Sequence, residues 1–114
     1  MADLATHFWI GASGKQYKYY VCDLNFDFSP NQNGNYIFCK IEKGAWVPVY
    51  VGEGDLKDRV AFRKNDRSVG YKNATHIHAH QNNNETDRKN EESDILARHS
   101  EAYDPTGCNI KEGG

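Results

Sequence analysis

Three neighbouring stretches of sequence decide the fold, namely Gly34-Asn35-Tyr36-Ile37-Phe38, Val49-Tyr50-Val51-Gly52 and Asp55-Leu56-Lys57-Asp58-Arg59-Val60. The first two are rich in aromatic and β-branched residues, which favour strands, and a turn pattern at 43–44 separates them. They predict a hairpin with strands at 35–43 and 47–51, each of which delivers a tyrosine. Glycines at 52 and 54 bracket the turn that follows, and Asp55 is a suitable N-cap for a short helix from Leu56 to about Lys64.

Further elements are predicted on both sides of this hairpin. Residues 8–10 and 17–21, joined by a turn at 11–14, predict a second hairpin, and residues 74–80 predict a short strand. A helix is expected over about 87–102, capped by Asn84 or Thr86 and ended by Pro105. The predicted fold is a small α/β domain with a mainly antiparallel central sheet flanked by helices. Residues 1–114 would form one domain, with 1–32 as an N-terminal hairpin extension and 33–109 as the core.

The order of these elements resembles the GIY-YIG endonuclease domain. The first signature of that family appears as Gly34-Asn35-Tyr36, and the second as Tyr50-Val51-Gly52, followed by a helix that carries Arg59. The segment Glu92-Ser93-Asp94-Ile95-Leu96 is similar to the family's helix in which a glutamate precedes two apolar residues. Pro105 and Asn109 are similar to its closing Pro and Asn. The resemblance covers residues 33–109.

The resemblance implies a metal-dependent endonuclease that hydrolyses DNA phosphodiester bonds. Glu92 would hold Mg²⁺ or Mn²⁺, and Arg59 would bring a fixed positive charge to the transition state. Tyr36 would activate or orient the attacking water, with its phenol acidified by the metal and the arginine, and Tyr50 would bind or orient the phosphate.

The helix pattern gives an independent reason to single out Glu92. Glu92, Ile95, Leu96 and His99 fall at i, i+3, i+4 and i+7, so the apolar stripe is expected to carry Glu92 towards the core. Glu91 is expected to point about 100° away from that stripe. A salt bridge from Glu92 to Arg88 is the alternative that stays open.

Arg63 departs from the family pattern. It stands where relatives often carry a His or Tyr one helical turn after the arginine, and a guanidinium cannot act as a base. His76 or His78 is a candidate substitute, as a proton shuttle or phosphate contact, because period-two spacing places them with His80 on one strand face. The alternatives are that Tyr36 acts alone, that the three histidines bind zinc, or that they line a solvated face.

Charge both supports and limits a nucleic-acid function. The formal net charge is -2, whereas proteins that hold DNA by bulk electrostatics usually carry a basic excess. A local basic segment consists of Lys57, Arg59, Arg63, Lys64 and Arg67. We expect Arg63, Lys64 and Asn109 to contact the substrate. The competing interpretation is a non-catalytic nucleic-acid-binding or protein-interaction module on the same fold, with the charged residues on a solvated helix face.

Length and composition set the remaining expectations. A chain of 114 residues with 38% hydrophobic residues can bury one modest core, and it contains no apolar run of the roughly 18 residues that a membrane span needs. No signal-peptide pattern is visible. The three cysteines are odd in number and lack metal-ligand spacing, which favours a reducing, cytoplasmic setting. DNA is the expected partner, and three sources of target specificity stay open: a homodimer, the N-terminal hairpin or a partner protein.

Overall fold

The computed structural model describes residues 4–65 and 72–110 of the chain, so Arg67 of the basic segment lies outside the described residues. These two ranges form five strands, two α-helices and one 3₁₀ turn. In chain order they are β1 (Thr6–Ile10), β2 (Gln16–Asp23), β3 (Asn33–Glu42), β4 (Ala45–Asp55), α1 (Leu56–Asn65), β5 (His76–Gln81), α2 (Glu85–Arg98) and the turn Ser100–Ala102.

All five strands belong to one antiparallel sheet with the order β1-β2-β5-β3-β4. The pairs β1-β2 and β3-β4 are the two hairpins that the sequence predicts. β5 lies between β2 and β3 and joins the two hairpins into one sheet. The predicted small α/β domain with an antiparallel sheet is therefore confirmed, and the N-terminal hairpin is a full part of that sheet.

The two sides of the sheet carry separate hydrophobic clusters, because successive strand residues point to opposite sides. On the side covered by α1, which we call the α1 side, Leu56 and Val60 of the helix belong to one cluster with strand residues Tyr36, Phe38 and Ile77. On the other side, the α2 side, Ile95 belongs to a cluster with strand residues Trp9, Tyr19, Ile37 and Val51. Each helix therefore covers its own side of the sheet.

The buried face of α2 differs from the predicted stripe. The helix begins after Asn84, whose side chain accepts a hydrogen bond from the Asp87 N–H. Its buried residues are Arg88, Glu91 and Ile95. The prediction that Glu92 faces the core and Glu91 points away from it is wrong, because Glu91 is 5% exposed and Glu92 lies at the border of the buried face.

Polar pairs hold this helix against the sheet. The Glu91 carboxylate accepts a hydrogen bond of 2.5 Å from the Tyr19 hydroxyl and lies 2.6 Å from Nε2 of His80. Arg88 Nε donates to the Glu53 carboxylate at 2.9 Å, so its ion pair reaches β4. Buried charges need such partners, and these pairs explain why charged residues occupy the inner face of the helix.

None of the three cysteines forms a disulfide bond. Cys22 and Cys39 are buried thiols, and Cys108 is a half-buried one. Within residues 4–65 and 72–110, no helix has the length and apolar character that crossing a membrane requires.

Candidate active site

Tyr36 and Tyr50 lie side by side on the α1 side of the β3-β4 hairpin. Tyr36 is opposite Gly52, and Phe38 is opposite Tyr50, so the register brings both tyrosines to the same face. Their ring centroids are 6.1 Å apart. Tyr36 is almost fully buried, at 2% exposure, whereas Tyr50 is half-buried at the edge of the hydrophobic cluster.

Gly52 is explained by this arrangement. A Cβ atom at position 52 would lie 2.5 Å from the hydroxyl oxygen of Tyr36, which is closer than real side chains approach. The Tyr36 phenol therefore lies directly over Gly52. Gly54, two residues later, has φ = 133°, a backbone conformation that side-chain-bearing residues rarely adopt, and it turns the chain into α1.

The helix α1 brings Arg63 onto Tyr50. The Arg63 guanidinium carbon lies 4.1 Å from the centroid of the Tyr50 ring, and the two side chains also share a hydrogen bond. Arginine stacks well on aromatic faces and keeps its charge at every physiological pH. A permanent positive charge is thereby fixed beside the second tyrosine.

Tyr50 and Arg63 open into a cleft of about 680 Å³. Its walls come from β4, α1, α2 and the C-terminal segment, and they are formed by Tyr50, Glu53, Arg63, Lys89, Glu92, Ser93, Leu96, Ala97, Tyr103, Cys108, Asn109 and Ile110. Glu92 thus lies in the same cleft as Tyr50 and Arg63, although it does not face the hydrophobic core. The border position of Glu92 on α2 is what makes it accessible to this space.

The environment of the tyrosines favours their protonated form. Burial raises the pKa of the Tyr36 phenol above its usual value, Tyr50 raises it further, and Arg63 and Arg59 oppose the shift. Burial likewise raises the pKa of Tyr50, with Arg63 opposing it. Among the protein groups alone, the loss of hydration outweighs the attraction of the two arginines. The expected acidification of Tyr36 by a bound metal stays a prediction.

Arg59 and Lys64 lie apart from this cleft. Arg59 is exposed and lines a neighbouring groove of about 530 Å³ with Glu53 and Arg88. Its aliphatic chain contacts Gly54, with Cγ 3.2 Å from the position that a Cβ would take. Lys64 lines a different depression, formed by the loop before β3 and the far face of α1. Of the predicted cationic contacts, the structure therefore brings Arg63 into the cleft and leaves Lys64 outside it.

Asn109 is placed by the backbone of β4. Its side-chain amide donates to the Val51 carbonyl at 2.9 Å, and its oxygen accepts from the Val51 N–H at 2.8 Å. Asn109 is 7% exposed, so both functional ends of the amide are used in a buried contact. The predicted substrate contact is not supported. The residue instead fixes the C-terminal segment to the sheet edge, where that segment forms one wall of the cleft.

The histidines lie on the other side of the sheet. His76, His78 and His80 do share one strand face, as predicted, but that face is the α2 side, opposite Tyr36 and Tyr50. His78 is fully buried and accepts a 2.9 Å hydrogen bond at Nδ1 from the Trp9 indole. The catalytic roles predicted for His76 and His78 are therefore corrected, because the sheet separates them from the tyrosines.

Glu53 belongs to the candidate site, although the sequence analysis does not single it out. It lies between the two glycines that follow Tyr50, lines both the cleft and the neighbouring groove, and is held by Arg88 at 2.9 Å. An acidic residue in a glycine-bracketed turn next to a candidate site is the signal that would have drawn attention to it.

The carboxylates of the cleft limit which metal it suits. Among the described residues, no group of three or more His, Cys, Asp or Glu side chains is arranged to hold an ion. Mg²⁺ is commonly bound through one or two carboxylates, with water and phosphate oxygens completing its shell. Glu92 and Glu53, which line the same cleft, fit that sparse set of ligands.

Comparison of the chain with protein-family models, with curated proteins and with solved structures gave no match.

Proposed function

We propose that the protein is a metal-dependent endonuclease that hydrolyses DNA phosphodiester bonds, of the type that the GIY-YIG-like motifs suggest. The observation that carries the proposal is one cleft that contains Tyr50, Arg63 and Glu92, with Tyr36 packed directly behind Tyr50. These residues come from β3, β4, α1 and α2. A fixed cation, a carboxylate and a phenol in one cleft are the groups that phosphodiester hydrolysis uses.

Arg63 and Tyr50 would receive the phosphate. The guanidinium is already held against the Tyr50 ring, so its charge is in place before substrate arrives. Preorganised positive charge stabilises the negative charge that develops on the phosphoryl oxygens. Arg59, on the rim of the neighbouring groove, would contact the DNA backbone beside the scissile phosphate.

Tyr36 would act as an orienting group that keeps its proton. It is almost fully buried and its pKa is raised, so a neutral phenol that donates a hydrogen bond suits its surroundings better than a phenolate base. Glu92 and Glu53 would hold Mg²⁺ or Mn²⁺, which polarises the phosphate and supplies an activated water when it is bound.

The alternative is a nucleic-acid-binding module without cleavage. Three observations favour it. Arg63, which cannot act as a base, stands where the resembled family often carries a His or Tyr. The pKa of Tyr36 is raised, and the net charge is -2. In this role the cleft would bind a phosphate group through Arg63 and leave it intact.

Nicking of supercoiled plasmid in Mg²⁺ or Mn²⁺ tests the proposal. We expect activity that falls by about 100-fold or more in Glu92→Gln and in Arg63→Gln, as for the loss of a group that stabilises the transition state. Arg98→Gln and Glu42→Gln are matched controls, because they make the same changes at exposed residues outside both the cleft and the neighbouring groove, and both should cleave like the wild type.

Two results decide between the candidates. Nicking that persists in Glu92→Gln and Arg63→Gln would reject this cleft as the active site. Salt-sensitive DNA binding that Arg63→Gln weakens, without cleavage in either metal, would establish the non-catalytic module instead.

A further inference from the structure

The two edge strands of the sheet, β4 and β1, differ in how well their outer backbone groups are covered. At β4 the edge is covered by the C-terminal segment, since Cys108 N–H donates to the Val49 carbonyl at 2.7 Å and Asn109 bonds both backbone groups of Val51. Pro48 further lacks an N–H that another chain could use. The β4 edge is thus protected against additional strands.

The β1 edge has none of these protections in the part of the chain that the structure describes. β1 pairs with β2 alone, and its residues are Thr6, His7, Phe8, Trp9 and Ile10, which include no proline, lysine or acidic residue. All five favour or tolerate strands. An uncharged and regular edge strand of this kind is a template for pairing with another chain.

The hydrogen-bond pattern shows which residues face outwards. Val21 N–H donates to the Ala5 carbonyl, and Gly11 N–H donates to the Lys15 carbonyl. In an antiparallel pair, residues bonded to the neighbour alternate with residues whose N–H and C=O point away. The odd-numbered residues of β1 therefore bond to β2, and Thr6, Phe8 and Ile10 direct their backbone groups to the open edge.

We infer that β1 is a dimerisation edge at which a second copy of this chain pairs antiparallel to the first, with Phe8 on the two-fold axis. This pairing sets Phe8 opposite the partner's Phe8, and Thr6 opposite the partner's Ile10. Each of these outward-facing pairs contributes two backbone hydrogen bonds, which makes about six across the interface.

The side chains on the α1 side agree with this register. Phe8 is 51% exposed and is not covered by α1, which contacts β3 and β4 instead. The two-fold axis brings the two Phe8 rings together, and the Thr6 and Ile10 pairs flank them on the same face. Aromatic and β-branched cross-strand pairs stabilise sheets, and no like charges meet across this interface. A second copy suits the edge because the five residues are compatible with themselves in the antiparallel direction.

The interface leaves the candidate active site free. The cleft opens beside β4 at the opposite edge of the sheet, so dimerisation and cleavage are separate properties of the chain. The dimer inference does not rest on the proposed nuclease function and is measured without any DNA.

Sedimentation equilibrium of the full chain over a wide concentration range gives the first test. We expect the mass to approach twice the 13.0 kDa of one chain. Phe8→Lys and Phe8→Asp should each return it to the single mass, because like charges then meet on the axis. An equimolar mixture of these two variants should recover the doubled mass, because opposite charges meet there. Circular dichroism of both variants checks that the fold is kept.

Disulfide trapping under mild oxidation tests the register itself. In Phe8→Cys the two introduced thiols would sit on residues whose Cα atoms are about 5.5 Å apart, within the range of a disulfide. Thr6→Cys is the matched control on the same strand face, and its two Cα atoms would be about 14 Å apart. Rapid covalent dimerisation of Phe8→Cys alone supports the inference. A single mass at all concentrations, or equal trapping at both positions, overturns it.

Discussion

Acid should destabilise this protein through one buried imidazole, that of His78. The ring is fully buried, and Trp9 donates to its Nδ1 at 2.9 Å. Nδ1 must therefore be the unprotonated nitrogen. Protonating it would set two N–H groups against each other, because the indole has a donor and no acceptor. In the described part of the chain, Nε2 has no hydrogen-bond partner either, so no group there would stabilise the charged ring.

The surroundings of His78 add to this cost. Its ring centroid is 5.6 Å from that of His7, and His7 in its charged form would repel a positive charge on His78. Burial, followed by His7 and His76, lowers the pKa of His78 to about 3, from 6.5 in a solvated chain. The pKa of His7 is lowered as well, by burial and by His99.

The sign and size of the effect follow from proton linkage. A histidine whose pKa is lower in the folded state binds more protons when unfolded, so acid favours unfolding. Stability is fully present above the unfolded pKa of 6.5 and is lost as the pH falls from there towards 3. Between about pH 8 and pH 5, His78 alone should reduce the free energy of unfolding by about 2 kcal/mol. That is a large part of the 5–15 kcal/mol or so that is typical of a domain.

Urea unfolding of the wild type and of His78→Asn at the two pH values measures this. Asparagine offers an oxygen acceptor to Trp9 but does not titrate, so the variant should be less stable at pH of about 8 yet lose about 2 kcal/mol less than the wild type on acidification. His76→Asn makes the same change on the same strand face and should keep most of the acid sensitivity, because burial, the largest cause of the lowered His78 pKa, is unchanged. An equal loss in His78→Asn and the wild type would refute the reasoning.

Two further predictions concern packing. Gly52→Ala should lower the free energy of unfolding by about 1–3 kcal/mol, because the added methyl group collides with the Tyr36 phenol, and urea unfolding that matches the wild type would contradict that contact. Glu91→Ala should cost about 2 kcal/mol, because it leaves the buried Tyr19 hydroxyl without its acceptor. The same change at Glu85, which is exposed in the first turn of α2, should shift the thermal midpoint far less, and equal shifts would show that Glu91 does not secure the helix.

Local patterns were enough to predict the strands and the short helix. Aromatic alternation placed both hairpins, and Asp55 marked the start of α1, where its carboxylate accepts from the Asp58 N–H at 3.1 Å. The position of β5 between the hairpins was not predictable in this way. Strand order depends on contacts between distant segments, and the local pattern of residues 76–81 does not indicate which strands they pair with.

The errors at the candidate site have a related cause. The stripe on α2 was set by Ile95 and Leu96, but the buried face also includes Arg88 and Glu91, whose burial depends on partners elsewhere in the chain. Hydrophobic periodicity does not detect paired buried charges. The period of two did place the histidines on one face. It did not show on which side of the sheet that face lies. In the structure it is the α2 side, where the His78 ring packs against Trp9 of β1 and Trp46 of β4.

The central place of β5 also affects how the chain is made. β1 and β2 leave the ribosome early, yet the strand that links them to the rest of the sheet is synthesised only after residues 24–75. A two-stranded hairpin is at best marginally stable in water, so this one must wait for its neighbour with Trp9 and Tyr19 uncovered. Translation of β5 thus sets the moment at which β1 and β2 become folded, and until then the nascent chain exposes aromatic surface of the kind that chaperones bind.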